Sequence, residues 1–179
     1  VIVSKSADIE DAAARIMNGK TLNAGQICLA PDYVFVPEGK VDAFVGAAEK
    51  SVAKMYPTLK DNPDYTSIVN QRHFDRLNSY IDDAKAKGAK IVNPANEDFS
   101  QQQTHKIPPT IVLDATDDMK IMQEEIFGPL LPVKTFKESD ETIDYINEND
   151  RPLGLYYFGE DKAEEDKVLK NTTAGGVTV

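Results

Sequence analysis

The chain has 179 residues, 41% hydrophobic and 28% charged, which is the length and balance of one globular domain. Its 30 acidic and 20 basic residues give a net charge of −10, which repels phosphate backbones and argues against nucleic-acid binding. No apolar run approaches the roughly 20 residues that a membrane-spanning helix needs.

The first half of the chain alternates short apolar runs with amphipathic stretches. Asp8 is suited to cap a helix that begins at Ile9, and Gly88 is suited to end a later one. Strands are predicted at residues 1–3 and 33–36, and helices at about 9–24, 41–55 and 73–87.

The second half continues the alternation. Strands are predicted at residues 90–92, 110–113, 130–136, 155–158 and 175–179, and a helix at 140–147. Asp161 and Glu164 have capping-box spacing, which predicts a last helix that ends near Lys170. Residues 93–109, rich in Pro, Asn and Gln, predict a long surface loop or a short excursion.

Strand–helix alternation of this kind is typical of βαβ units. The apolar strands indicate a sheet that is covered on both faces. We therefore predict an α/β fold, a three-layer α/β/α arrangement around an open, mostly parallel sheet, with residues 1–179 forming one domain.

Cys28 is the only cysteine, and it lies between a predicted helix and a predicted strand. It follows the C-terminus of its helix, so the helix dipole offers no stabilisation of a thiolate. From these residues alone, a buried structural thiol and a reactive thiol both stay open.

Glu124 and Glu125 precede an aromatic residue and a Gly-Pro turn. Such a pair fits a solvated loop. It also fits a carboxylate that accepts hydrogen bonds from the hydroxyls of a nucleotide ribose. The local pattern does not choose between the two readings.

Other functional signals are weak. His73 and His105 have no companions at ligand spacing, so we expect no metal site. A single cysteine cannot form an internal disulfide, and Val1–Lys5 show no signal-peptide pattern, so we expect a cytoplasmic protein. The chain has no G-x-G-x-x-G, P-loop or G-x-S-x-G motif.

Taken together, residues 23–28 (NAGQIC) and 124–129 (EEIFGP) resemble the two signatures of the aldehyde dehydrogenase superfamily, in the family's order. The resemblance covers essentially the whole chain. Residues 28–33 (CLAPDY), 122–123 (MQ) and 151–156 (RPLGLY) are similar to the class-three and coniferyl aldehyde dehydrogenase branch.

The resemblance implies specific roles for these residues. Cys28 is similar to the family nucleophile, and its backbone N–H to half of the oxyanion hole. Glu125 is similar to the carboxylate that binds the nicotinamide ribose of NAD or NADP. Phe127 is similar to its neighbour that packs beside the nicotinamide. Asn23 and Gln26 are expected to shape the cysteine segment.

The resemblance also implies a parent enzyme that oxidises an aldehyde to the carboxylic acid with NAD(P). The substrate would be aromatic, such as coniferyl aldehyde, or medium-chain aliphatic. The parent is expected to be a homo-oligomer.

The chain begins without Met, and the family's dinucleotide-binding domain, general-base glutamate and oxyanion asparagine lie upstream of the cysteine signature. We therefore expect this chain to be the catalytic domain of a longer enzyme. On its own it should turn over no aldehyde, while Cys28 should react with a thiol alkylator in the native fold.

Two rival readings remain. One is a non-enzymatic α/β scaffold or binding module that keeps the dehydrogenase shape, although such a protein has no chemical reason to keep both Cys28 and Glu125. The other is a redox sensor, which would need an external thiol because the chain has no second cysteine.

Overall fold

A computed structural model describes residues 1–95, 97–99 and 104–179. The strands are β1 (Ile2–Val3), β2 (Val34–Pro37), β3 (Lys90–Val92), β4 (Thr110–Leu113), β5 (Leu130–Phe136), β6 (Gly154–Phe158) and β7 (Gly176–Thr178). The helices are α1 (Ile9–Thr21), α2 (Val41–Met55), α3 (Gln71–Ala86), α4 (Ser139–Glu148) and α5 (Lys162–Asn171). Two short 3₁₀ helices cover Leu22–Gly25 and Lys120–Met122.

These strands form one sheet in the order β3-β4-β5-β2-β1-β6-β7. Every neighbouring pair is parallel except β3 and β4, which run antiparallel. The mostly parallel sheet predicted from the sequence is confirmed. Because the parallel strands share one direction, the loops that precede them meet at a single edge of the sheet.

Side-chain alternation along the strands divides the core into two layers. Val34 and Val36 belong to the larger apolar cluster, which also takes in buried residues of α1, α2 and α3. Phe35, between them, belongs to the smaller cluster with α4 and α5. Helices thus cover both faces of the sheet, and the predicted three-layer α/β/α arrangement is confirmed.

The predicted helix boundaries hold with two shifts. The Asp8 side chain accepts hydrogen bonds from the Glu10 and Asp11 N–H groups and caps α1, as predicted. That helix ends at Thr21 and not near residue 24, because Asn23 and Ala24 have positive φ angles of 51° and 52°.

Helix α3 begins two residues earlier than predicted. The Asn70 side chain accepts a hydrogen bond from the His73 N–H at 3.0 Å and caps the helix there. At the other end, Gly88 has the positive φ angle of 94° that favours glycine after a helix.

Part of the loop predicted at residues 93–109 lies outside the described residues, namely 96 and 100–103. Within the described ranges, no helix is long and apolar enough to cross a membrane. The same ranges contain no group of three or more His, Cys, Asp or Glu placed to hold a metal ion.

Candidate functional site

The segment between α1 and β2, residues 22–33, is called the cysteine loop below. Asn23, Ala24 and Gly25 all take positive φ angles, of 51°, 52° and 72°, which reverse the chain after α1. Asn23 and Gln26 hold this reversal, because each side-chain amide donates to the backbone carbonyl of the other, at 3.2 and 3.0 Å. Their expected role in shaping the segment agrees with this geometry.

Gln26 also fastens the cysteine loop to the segment before α3. Its amide nitrogen donates to the Ser67 carbonyl at 3.1 Å, and its amide oxygen accepts from the Val69 N–H at 2.9 Å. The loop conformation is therefore fixed two residues before Cys28.

Cys28 is exposed, so the alternative of a buried structural thiol is wrong. Among the described residues, no hydrogen bond uses the Cys28 N–H or its thiol. The loop thus presents a thiol and a backbone donor to solvent at one position. An N–H placed beside a nucleophile in this way can stabilise a developing oxyanion.

The two acids of residues 123–129, called the acidic loop below, differ in their surroundings. Glu124 accepts a hydrogen bond from the Tyr80 hydroxyl at 2.8 Å. Glu125 is exposed, and within the described part of the chain its carboxylate has no hydrogen bond or ion pair. Glu125 is therefore the acid that is available to a ligand.

One cleft of about 360 Å³ brings Cys28 and Glu125 together. It lies mainly at the amino edge of the parallel strands, because its walls come largely from the loops before β2, β5 and β6. Open α/β sheets usually bind ligands at the opposite, carboxyl edge. Aromatic side chains contribute to the lining, among them Tyr33, Tyr145 and Tyr156.

Phe127 lies elsewhere. It is 38% exposed and lines a separate depression of about 460 Å³ that includes Asn23, Gln26 and His73. The structure thus joins Cys28 with Glu125 and places the Phe127 ring on a neighbouring surface.

The cysteine loop and the acidic loop touch through their backbones. A side chain at Gly25 would overlap the Gly128 carbonyl oxygen. Asp32, four residues after Cys28, accepts a hydrogen bond from the Ile126 N–H at 3.0 Å. Sequence reasoning left Asp32 without a role, because a contact across 94 positions has no local signal.

Arg76 on α3 is a second residue that sequence reasoning missed. Its guanidinium donates to the Ile126 carbonyl at 2.7 Å and to the Tyr80 hydroxyl at 3.1 Å. Arg76 and Tyr80 are spaced i, i+4, which places both on one face of α3. That spacing was the available sequence signal.

A buried charge lies beneath the cysteine loop. Lys20, in the last turn of α1, is 1% exposed. Burial lowers the pKa of its ammonium to about 8, and the Asp32 carboxylate opposes that fall. Asp32 therefore links the buried end of α1 to the acidic loop.

Comparison with known proteins gives one family. The model of the aldehyde dehydrogenase family matches residues 1–179, the full chain. A protein of Caulobacter vibrioides named probable coniferyl aldehyde dehydrogenase is 64% identical, over 100% of this chain and 37% of that protein. The coniferyl aldehyde dehydrogenase of a Pseudomonas species is 54% identical, over 100% of this chain and 38% of that protein.

Solved structures agree. A substrate-bound AldH of Staphylococcus aureus has a TM-score of 0.90 and 38% identity, covering 99% of this chain and 38% of that one. A mutant of aldehyde dehydrogenase C of Pseudomonas syringae was solved with NAD+ and octanal. It has a TM-score of 0.84 and 25% identity, and the match covers 98% of this chain and 37% of that one. The chain thus spans well under half the length of these relatives.

Proposed function

This chain belongs to the aldehyde dehydrogenase family, and on that premise we propose that its protein oxidises an aldehyde to the carboxylic acid with NAD or NADP. One observation carries the proposal. Cys28 and Glu125 line the same cleft, and in the described part of the chain neither the Cys28 N–H nor the Glu125 carboxylate has a partner.

Cys28 supplies the nucleophile. Its thiolate attacks the carbonyl carbon, a C–S bond forms, and the carbonyl oxygen becomes an oxyanion. The Cys28 N–H donates to that oxygen, a kind of interaction worth about 3 kcal/mol in the transition state. Loss of hydride from the same carbon leaves a thioester on Cys28, and water cleaves it to the acid and the free thiol.

Glu125 is assigned to the cofactor. Its exposed carboxylate fits a pair of ribose hydroxyls, because an ionised carboxylate accepts hydrogen bonds and needs donors. The bound nicotinamide would supply the hydride acceptor. We also propose that Phe127 packs beside the nicotinamide. Its ring lines the depression next to the cleft of Cys28 and Glu125.

Residues 1–179 are assigned to the nucleophile-bearing catalytic domain. No His or carboxylate is hydrogen-bonded to the Cys28 thiol within the described ranges, and the resemblance places the general-base glutamate upstream of the cysteine signature. We expect the 179-residue chain, purified alone, to give no sustained aldehyde turnover. A homo-oligomeric state and a cytoplasmic location for the protein stay predictions.

The proposed substrate is an aromatic aldehyde of the coniferyl type. The names of the two relatives above, together with tyrosine side chains in the cleft wall, support that choice. A medium-chain aliphatic aldehyde is the second candidate, because the Pseudomonas syringae relative was solved with octanal.

The test measures reduction of NAD and NADP by the intact protein with coniferyl aldehyde and octanal. Cys28→Ala should lower kcat at least about a thousandfold, because no other group forms the covalent bond. Its affinity for the coenzyme should stay unchanged. Asp75→Asn is the control, since that exposed carboxylate on α3 is hydrogen-bonded, among the residues that the structure describes, only to Gln71.

Full activity in Cys28→Ala would contradict the assignment of Cys28. An intact protein that binds no NAD(P) and oxidises neither aldehyde would instead favour the non-enzymatic scaffold, the rival function from another class.

A further inference from the structure

The backbone of Ile126, directly after Glu125, is held at both its N–H and its carbonyl. Its N–H donates to the Asp32 carboxylate at 3.0 Å, and its carbonyl accepts from the Arg76 guanidinium at 2.7 Å. Both partners are charged, and charge-assisted hydrogen bonds are about twice as strong as neutral ones. The Ile126 side chain itself is fully buried.

Arg76 is itself fixed in place. Its guanidinium lies over the Tyr80 ring at 5.1 Å and donates to the Tyr80 hydroxyl and to the His73 ring at 3.1 and 3.3 Å. Tyr80 is 4% exposed and in turn donates to Glu124. The planar guanidinium suits these contacts, because its several N–H donors can reach different acceptors at once.

The acidic loop needs such support. Phe127 has a φ angle of 48°, a left-handed conformation that is strained for a residue other than glycine. The next residue, Gly128, is buried against Leu77 so closely that a side chain would overlap it. Glu125 has no side-chain partner in the described part of the chain, so its direction depends on the backbone that follows it.

We propose that Arg76 is a positioning residue for the coenzyme site: by holding the Ile126 carbonyl opposite Asp32, it fixes the direction in which Glu125 meets the ribose. This inference rests on the proposed function, since it takes Glu125 as the coenzyme carboxylate. Because Asp32 belongs to the cysteine loop, its bond to the Ile126 N–H keeps Glu125 in register with Cys28.

Two other roles for Arg76 make different predictions. A purely structural arginine would lower stability and leave coenzyme affinity unchanged in the folded variant. An arginine that binds a coenzyme phosphate directly would act independently of Glu125. Its present contacts, to Ile126, Tyr80 and His73, argue against the second role.

The experiment compares Arg76→Met with Arg72→Met in the intact protein. Arg72 is the matched control, because it is an exposed arginine of the same helix whose side chain, within residues 1–95, 97–99 and 104–179, is hydrogen-bonded only to His73. Coenzyme Kd is measured by titration without aldehyde, and exchange of the Ile126 amide by hydrogen–deuterium exchange. Removing a hydrogen bond from a charged group predicts a Kd about tenfold to a hundredfold higher in Arg76→Met, with faster amide exchange and little change in Arg72→Met.

A double variant tests whether Arg76 acts through Glu125. In a Glu125→Gln background, adding Arg76→Met should raise Kd little further, since the group being positioned is already impaired. Full additivity would overturn the proposal in favour of direct phosphate binding. Equal Kd values for Arg76→Met and Arg72→Met would overturn it in favour of a structural role.

Failure of the proposed function gives a different pattern. If Glu125→Gln alone leaves Kd unchanged, the assignment of Glu125 fails, while amide exchange still reports whether Arg76 holds the loop. If Arg76→Met does not fold, Arg76→Lys replaces it. The lysine keeps the charge and loses the fork, so it should still raise Kd, and a wild-type Kd would overturn the proposal.

Discussion

At the scale of single residues, the cleft contains two groups that keep free hydrogen-bonding capacity among the described residues. The Cys28 N–H and the Glu125 carboxylate have no partners in the described part of the chain, whereas the neighbouring Glu124 is engaged by Tyr80. Two adjacent acids therefore have different work. Glu124 belongs to the support of the acidic loop, and Glu125 is the acid that is available to a ligand.

Lys20 is a buried residue whose charge is disfavoured by the fold. Its pKa falls from 10.5 to about 8, chiefly because burial removes water from the ammonium. A lysine whose folded pKa lies below its unfolded value binds fewer protons in the folded state at alkaline pH. The folded state is therefore stabilised as pH rises through that window.

We predict that the unfolding free energy attributable to Lys20 rises by about 2 kcal/mol between pH 7 and about pH 9.5. Urea unfolding at several pH values measures it, with Lys20→Met as the control that should lack the rise. Above this window, partly buried tyrosines such as Tyr33, whose pKa rises to about 12, reverse the trend because they ionise at lower pH in the unfolded state. Parallel curves for the two proteins would refute the prediction.

At the scale of elements, the cysteine loop and the acidic loop behave as one unit. Gly25 packs against Gly128, Asp32 accepts from Ile126, and Arg76 closes the contact from α3. The first contact is between backbone groups, and the other two reach the Ile126 backbone from the side chains of Asp32 and Arg76. The two loops are therefore joined directly, and we expect a change in one loop to displace the other.

Gly25→Ala tests that contact. Alanine here would have to adopt a left-handed backbone, with φ of 72°, and its methyl group would overlap the Gly128 carbonyl oxygen. We expect the conformational cost of about 1 kcal/mol plus a further loss from the overlap, and a weaker coenzyme affinity because the acidic loop must shift.

Gly39→Ala measures the conformational cost alone, so the difference between the two variants gives the loss from the overlap. Gly39 also has a positive φ, of 81°, but nothing lies within 4 Å of where its Cβ would be. Chemical denaturation of both variants gives the comparison. Equal losses of unfolding free energy would show that the contact between the two loops adds nothing.

The elements themselves were largely predictable from sequence, and the contacts between loops were not. Periodic apolar spacing and the caps at Asp8 and Asp161 are local signals, and both caps occur as predicted. The early end of α1 was missed because positive φ angles at Asn23 and Ala24 leave no mark in apolar spacing. Asp32 and Arg76 act on Ile126 across long sequence separations, where a single sequence carries no pairing signal.

At the scale of the whole molecule, the direction of the sheet explains where the cleft lies. Six of the seven strands run parallel, so the loops before β2, β5 and β6 collect at one edge. Cys28 and Glu125, distant in sequence, meet there for that reason. Family resemblance singled out both residues, and the topology supplies the physical cause of their meeting.

The most direct test of the proposed function is to trap the acyl group on Cys28. The intact protein is mixed with aldehyde and coenzyme, quenched in acid within one turnover, and digested for mass spectrometry. We predict an acyl thioester on the peptide that carries Cys28, which forms with the oxidised coenzyme and is absent with the reduced one. Rapid aldehyde oxidation with no acyl group on that peptide would contradict the account.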